Sequence, residues 1–452
     1  MAGKLIVDTI DTDNAFITLN VQQSQIATMN VSGIYSNTGV KMIGANGTVS
    51  NTAITGLVTA SQIANVANTQ LTGTITGSQI SSNTLSNTVF QTGSVENYMN
   101  AQGLGFGMRN RIINGAAVIA QRGTTFSGLS DDGGQYTLDR WKWAENGTFT
   151  GVQTVTQDTS APAGFSYSLK VQTTTAVAVA TSLSCRVEQF IEGFNWADMG
   201  YGTANAKTTT LSFWVRSSLT GTFGGAFRNS ADDRSYPFSY TISVADTWEQ
   251  KSITIAGDTS GTWIGATNGT GLRVTFSLGA GTALSGTAGA WVAAGTQSVT
   301  GAVSVVGTLN ATWYVTGVQL EKGSTATSFD YRPYGTELQL CQRYFYRLVN
   351  ASASTGYVPN ITGVRYTANE VYLGITCPAP LRTTPSISKS GTMYIYSGGT
   401  NITLGGVVAV TSNYNSYTSC PNVRVTATSI TSNTGWICEF DINAYFDISA
   451  EL

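Results

Sequence analysis

Tyr414, Asn415 and Tyr417 sit together in SNYNSYTS (412–419), two phenol rings set among amides and hydroxyls. Such rings stack on the C–H faces of sugar rings while Asn, Asp, Gln and Arg side chains bind the hydroxyls, so this is glycan-contact chemistry that needs no metal. Arg365 and Tyr366 in VPNITGVRYTANE, and Trp263 in DTSGTWIGATNGTG, repeat the pattern of an aromatic flanked by turn residues, which favours exposure on a loop. These six are the candidate binding residues. Tyr394 and Tyr396 in GTMYIYSGG share one strand parity and read as packing residues. Trp214 in LSFWVRS and Trp313 in ATWYVTG alternate as core residues do.

Catalytic alternatives are narrower. The chain has 0 His, which removes the commonest general base, the commonest neutral metal ligand and any Ser/His or Cys/His pair. Asp131 and Asp132, Asp232 and Asp233, and Glu188 and Glu192 supply carboxylates of the kind that glycoside hydrolysis sets about 5–10 Å apart. Each pair reads more simply as a turn or a solvated strand end, so no enzymatic activity is expected. Calcium-loop spacing is absent, and Cys185, Cys341, Cys377, Cys420 and Cys438 lack the CxxC spacing of a zinc site. No metal and no cofactor is expected, and the cysteines read as reduced, buried thiols. With 11% charged residues and a net charge of -2, nothing suggests a phosphate-neutralising groove, so no nucleic-acid partner is expected. Asp139 and Arg140 in YTLDRW read as structural, bonding each other or the backbone to pin a strand end.

The elements that must position these residues follow from composition. Fifty Gly, abundant Ser and Thr and only 8 Pro favour strands joined by many turns, an all-β chain. Residues 1–50 alternate in the strand manner, with no apolar run of secretory or membrane-spanning length. In 51–108, NTAITGLVTASQIANVA aligns on NTQLTGTITGSQISSNT, a repeat too short for its own core. It must bury its apolar positions against other copies, which suggests an intertwined, strand-rich trimeric shaft; a flexible linker is the alternative. SVENYMNAQGLGFGM then reads as a short helix capped by Ser94. Residues 109–335 form one large sandwich or jelly roll of many short strands, and 351–452 a small β-sandwich. SCRVEQFIEGF fits helix or strand. Between the two, 336–350 reads as a linker helix with Thr336 as N-cap and Glu337 near its positive end. Leu338, Cys341, Phe345 and Leu348 would form its buried stripe, joining the two β units and packing near a trimer axis, while Arg332, Arg343 and Arg347 pair with acids across the joint.

RNRIINGAAVIAQRG (109–123), YTLDRW (136–141) and TWYVTGVQLEKGSTATSFDYRPYGTELQLCQRYFYR (312–347) resemble the core of a widespread group of bacteriophage tail-fibre proteins. LRTTPSI (381–387) and the final AEL are similar to the fibre tip, and MAGKLIVDTI with the repeat resembles marine and cyanobacterial phage fibres. The resemblance implies a homotrimer that is part of the virion and is assembled in the host cytoplasm. It further implies attachment to a tail, baseplate or adaptor protein through the N-terminus, a carbohydrate-module-like jelly roll, and a C-terminal tip that binds a host surface glycan or outer-membrane receptor. A polysaccharide-degrading tailspike, and a structural fibre or adaptor without a receptor role, are the alternatives.

Overall fold

Alternation of apolar and polar residues carries much of the described chain into strands, and the strands close two β bodies held by one joint. The computed structural model describes residues 34–35, 41–43, 108–130, 133–350, 356–397, 400–411, 422–427, 430 and 436–452. Clustering of contacts separates Met1–Val89 from Phe90–Leu452. In the first unit β1 (Ile34–Tyr35) pairs antiparallel with β2 (Lys41–Ile43). The repeat, the helix expected at Ser94 and the rest of the N-terminal region lie outside the described residues.

In the second unit the chain runs through β3 (Thr125–Leu129), β4 (Gln135–Tyr136), β5 (Lys142–Asn146), β6 (Val152–Asp158), β7 (Ser168–Thr175), β8 (Ser184–Glu192) and β9 (Thr209–Ser217). It continues through β10 (Gly221–Arg228), β11 (Ser235–Ile242), β12 (Glu249–Ile255), β13 (Thr270–Ala280), β14 (Ser285–Gly286), β15 (Ser298–Val299) and β16 (Thr312–Lys322). Two six-stranded sheets result, in the orders β11-β10-β13-β8-β5-β4 and β12-β9-β16-β7-β6-β3. Their inner faces meet ring on ring: Phe213 of β9 lies 5.0 Å from Phe276 of β13 and 5.1 Å from Tyr240 of β11. Trp143, Phe223, Phe227 and Trp313 complete a dry aromatic core. Trp214 does not join it. On β9 the buried Phe213 and Val215 flank it, so alternation turns the Trp214 ring to the outer face of the sheet, where it is half-buried.

Beyond β16 come α1 (Tyr334–Gln342), β17 (Phe345–Val349), β18 (Gly356–Thr367), β19 (Glu370–Ile375), β20 (Ser386–Ser390), β21 (Met393–Ser397), β22 (Thr400–Thr411), β23 (Asn422–Ala427), β24 (Trp436–Phe440) and β25 (Tyr445–Ser449). The all-β class is as expected. Within it the C-terminal strands close into a six-stranded barrel, β18-β19-β23-β22-β21-β24, beside a three-stranded sheet, β17-β25-β20, instead of a two-sheet sandwich. Closure removes the exposed edges that so small a sheet would otherwise present.

The linker helix is shorter than its sequence pattern. It starts at Tyr334 behind Pro333, whose fixed φ of −53° suits the position before a helix, and Thr336 lies within it instead of capping it. It ends at Gln342, and Phe345 and Leu348 belong to β17, where Phe345 pairs with Ser449 and Leu348 with Phe446. In a strand a spacing of three puts the two residues on opposite faces, and pairing with β25 sends Phe345 to the joint and Leu348 to the barrel. Cys341 is buried with Ile113, Ile119 and Tyr344 in a small core between the two bodies, and Leu338 packs against it. Phe345 lies under the Arg122 guanidinium at 3.5 Å, and Leu348 enters the barrel core. Cys341, Phe345 and Leu348 are thus buried by their own chain.

The ion pairs of the joint differ in kind. Arg343 crosses it, bonding Glu192 at 2.9 and 2.6 Å, whereas Arg347 pairs with Asp447 in the neighbouring strand and Arg332 with the nearby Glu337. Asp139 accepts from the backbone and side chain of Gln121, at 2.7 and 2.5 Å, and not from Arg140. Burial pushes the Asp139 carboxyl up, only partly offset by Arg122 and the Gln121 bonds.

Candidate functional site

Of the expected binding residues, Trp263 acquires the most developed surroundings. It sits in the segment after β12, and Trp291 reaches it from the segment between β14 and β15. Their rings stand 5.4 Å apart at 88°, edge to face, forming a right-angled corner. Tyr201 backs the corner, 5.0 Å from Trp263 and 5.7 Å from Trp291, and Tyr236 lies 5.3 Å from Trp291. Tyr201 and Tyr236 are buried and both tryptophans are half-buried, packed against the sandwich core, so the pair keeps part of its ring surface exposed above a buried aromatic base.

Both indole N–H groups are spent inward. Trp263 Nε1 donates to Asp258 Oδ2 and to the Ser260 carbonyl, each at 3.2 Å, and Trp291 Nε1 donates to the Ala256 carbonyl at 2.7 Å. What each ring offers outward is therefore its apolar surface. Asp258 is in turn held by Arg234 through two bonds of 2.9 and 2.6 Å. Gly202, at φ +80°, comes so close that a Cβ would lie 3.0 Å from the Gly261 carbonyl and 3.1 Å from the Trp263 ring, so this approach depends on glycine. Burial pushes the Tyr201 hydroxyl up, and it bonds Thr209 at 3.1 Å, which suits a structural backing ring and not an acid or base. Polar groups flank the corner: Asp233 and Thr262 are exposed and Arg234 half-buried. Trp291 had not stood out in the sequence, because GAWVAAG carries neither alternation nor the polar turn residues that marked Trp263.

Tyr366 lies elsewhere, on the outer wall of the barrel. It is 51% exposed beside the 61% exposed Val364, 4.7 Å from the Tyr372 ring and 5.6 Å from the Arg424 guanidinium. Arg365 does not share that wall. It pairs with Val371, a core residue, and its Nε donates to the Thr367 carbonyl at 3.1 Å. Tyr394 and Tyr396 share the outer face of β21, opposite the core residues Met393 and Ile395, and are half-buried there, with the Tyr394 hydroxyl 3.4 Å from Asp441. Tyr414, Asn415 and Tyr417 lie outside the described residues.

The acids weighed for hydrolysis are committed to arginines or turns. Burial alone would raise the Glu188 carboxyl, but Arg186 and Arg228 outweigh it and hold it below the usual range. Hydrogen bonds from Arg343 and Tyr344 do the same for Glu192 against its burial. Asp232 bridges Arg228 and Arg273 at 2.8 and 2.6 Å, and Asp233 accepts from Asn229 at 2.6 Å; Asp131 and Asp132 lie outside the described residues. Among the described residues no group of three or more Cys, Asp or Glu is placed to hold a metal ion. Cys185, Cys341 and Cys438 are buried free thiols, and burial pushes the Cys438 thiol up to about 12.

No protein-family model matches the sequence, and no curated protein is similar to it. Among solved structures, the chain is similar to the enzymatically active domain of bacteriophage CBA120 tailspike protein 4, at 12% identity and a TM-score of 0.25, over 47% of this chain and 21% of that one. It is also similar to TmCBM61 in complex with beta-1,4-galactotriose, at 11% identity and a TM-score of 0.24, over 48% of this chain and 99% of the other. A sugar-binding protein from Bacteroides thetaiotaomicron gives 11% identity and a TM-score of 0.29, over 48% and 100%.

Proposed function

We propose that this chain is a glycan-binding attachment fibre of a phage: a homotrimer, tied to the virion through its N-terminal region, that holds a host surface polysaccharide without cleaving it. The observation that carries the reading is the Trp263–Trp291 corner. Two half-buried rings at right angles, each with its N–H already satisfied, leave apolar ring surface on which the C–H surface of a pyranose can rest, with Asp233 and Arg234 beside them for its hydroxyls. The motif resemblance supplies the phage setting and the trimer. Glu188 and Glu192 are held as carboxylates within ion pairs, which favours a binding role over hydrolysis.

A single such site reaches about millimolar affinity, roughly 4 kcal/mol, and three chains acting together raise the avidity by orders of magnitude. The test is binding of host surface polysaccharide to the full chain and to its Trp263→Ala/Trp291→Ala variant. Calorimetry on short fragments should show a loss of tenfold or more, with native mass spectrometry giving three chains per particle for both proteins. Unchanged affinity in the double variant removes the corner from the reading, a monomer removes the fibre, and new reducing ends in the polysaccharide remove the non-cleaving role.

A further inference from the structure

The corner leaves the most motif-rich segments unused. RIINGAAV and SFDYRPYG, far apart in sequence, meet around a cavity of about 180 Å³. One wall is aromatic. Phe165, Phe329 and Tyr331 pack with centroids 5.2, 5.4 and 4.8 Å apart, and the Tyr331 hydroxyl is tied to the Gly164 carbonyl at 2.6 Å. The opposite wall is the turn carrying Ala116 and Val118.

That turn is held in a conformation side chains avoid. Asn114 and Ala117 have φ of 59° and 56°, and Ala117 has no side-chain hydrogen bond to recover the strain. At Gly115 a Cβ would stand 2.1 Å from the Val318 carbonyl oxygen, so the turn is pressed onto β16 and cannot relax into the cavity. The Asn114 side chain locks it further, donating to the Ile119 and Asp139 carbonyls at 2.9 and 3.0 Å and accepting from Ile119 N–H at 2.9 Å. The cavity is a built feature, bought with backbone strain.

Its charges are unequal. Arg332 is consumed by the protein, bonding Glu337 and the carbonyls of Ile112 and Asn110. Asp330 is not. Its Oδ2 accepts the Asn110 N–H at 3.3 Å, and its other oxygen has no partner among the described residues. A cavity of about 150 Å³ holds one benzene ring, so this volume takes one six-membered ring and no oligomer. An aromatic wall next to a carboxylate with a spare oxygen attracts a cation, by ring quadrupole and ion pairing together. A purely apolar ring would instead strip water from Asp330 without replacing it.

We infer that this cavity is a second binding site, separate from the tryptophan corner, for a single sugar-sized ring bearing a free amine. The amine sits on Asp330, and the ring face lies along Phe329 and Tyr331. The probe is D-glucosamine, with N-acetylglucosamine and glucose as comparators, titrated into the full chain by calorimetry and saturation-transfer NMR. Glucosamine should bind saturably, one per chain, and at least tenfold more tightly than either comparator. Asp330→Asn, which keeps an acceptor for Asn110 N–H, and Ala116→Leu, which fills the cavity from the opposite wall, should each weaken it by tenfold or more. The Trp263→Ala/Trp291→Ala variant should bind glucosamine as wild type does, whatever happens to the polysaccharide. The inference is overturned if wild type shows no saturable glucosamine binding up to about 10 mM. It is equally overturned by comparators that bind as well, by both cavity variants leaving the affinity unchanged, or by the corner variant abolishing it.

Discussion

Arg140→Ala should lower the unfolding free energy by about 3–5 kcal/mol, the range seen when one partner of a buried ion pair is removed. The Arg140 side chain is 1% exposed and pairs with Glu451, itself only 5% exposed. Its guanidinium also donates to the Phe190 carbonyl of β8 and lies 3.6 Å over the Tyr344 ring. One side chain thus links the sandwich, the segment after α1 and the C-terminus. Without it, Glu451 keeps only Arg122, at 3.0 Å, and the Phe190 carbonyl loses a donor in a dry setting. Because Arg140 sits at φ 69°, alanine inherits the backbone strain and recovers nothing. Arg140→Lys should restore less than half of the loss, since an ammonium cannot reach Glu451 and the Phe190 carbonyl in one plane while stacking on Tyr344. Urea unfolding followed by near-ultraviolet circular dichroism reads both values. A loss under about 1 kcal/mol would mean that water reaches Glu451 and that the joint is held by apolar packing alone.

The strand signals in YSLKVQTT, TTTLSFWVRSS, EQKSITIAG, GLRVTFSLG and ATWYVTGVQLEKG are plain in the sequence, and β7, β9, β12, β13 and β16 fall on them. SCRVEQFIEGF fits helix or strand because its charged residues break the apolar pattern: on β8, Cys185, Val187 and Ile191 point inward, and Ser184, Arg186 and Glu188 are equally covered on the other side. Charge normally marks the wet face, and here it marks a dry one. The end of α1 was hidden for a different reason. Leu338, Cys341, Phe345 and Leu348 keep a helical spacing, and only pairing with β25, a hundred residues away, turns the last two into strand. The site was half legible. Trp263 announced itself by its turn-rich neighbours, but the ring that completes the corner, Trp291, lies in small apolar residues whose exposure depends on how the segment between β14 and β15 is laid over the sandwich. Tyr366 and Arg365 look like a pair in sequence, and simple strand alternation parts them.

The dry charged face of β8 carries the second large effect. Glu188 Oε2 accepts from Arg228 at 2.6 Å, from Arg186 at 3.1 Å and from the Thr275 hydroxyl at 3.4 Å, and Asp232 ties Arg228 to Arg273 beyond it. Glu188→Gln leaves Arg186 and Arg228 facing each other in a buried site with Asp232 as the remaining anion, 39% exposed. A cost of about 3–5 kcal/mol at neutral pH follows from the same physics as at Arg140. Acid separates the charge from the shape. The folded-state pKa of Glu188 is depressed, against its own burial, by Arg186 and Arg228, so the folded protein binds the proton less readily than the unfolded chain does. Its stabilisation is therefore fully present above the unfolded value of about 4.3 and is lost as the pH falls through the lower folded value. The gap between wild type and Glu188→Gln should be constant from pH 7 to about 5 and close below that. Comparing the two proteins cancels Glu192, which shifts in the same direction, and Asp139, whose raised pKa acts in the opposite one. A gap that persists at pH 3 would assign the loss to the shape of the amide in the arginine cluster, and a gap that widens in acid would overturn the ion-pair account of this face.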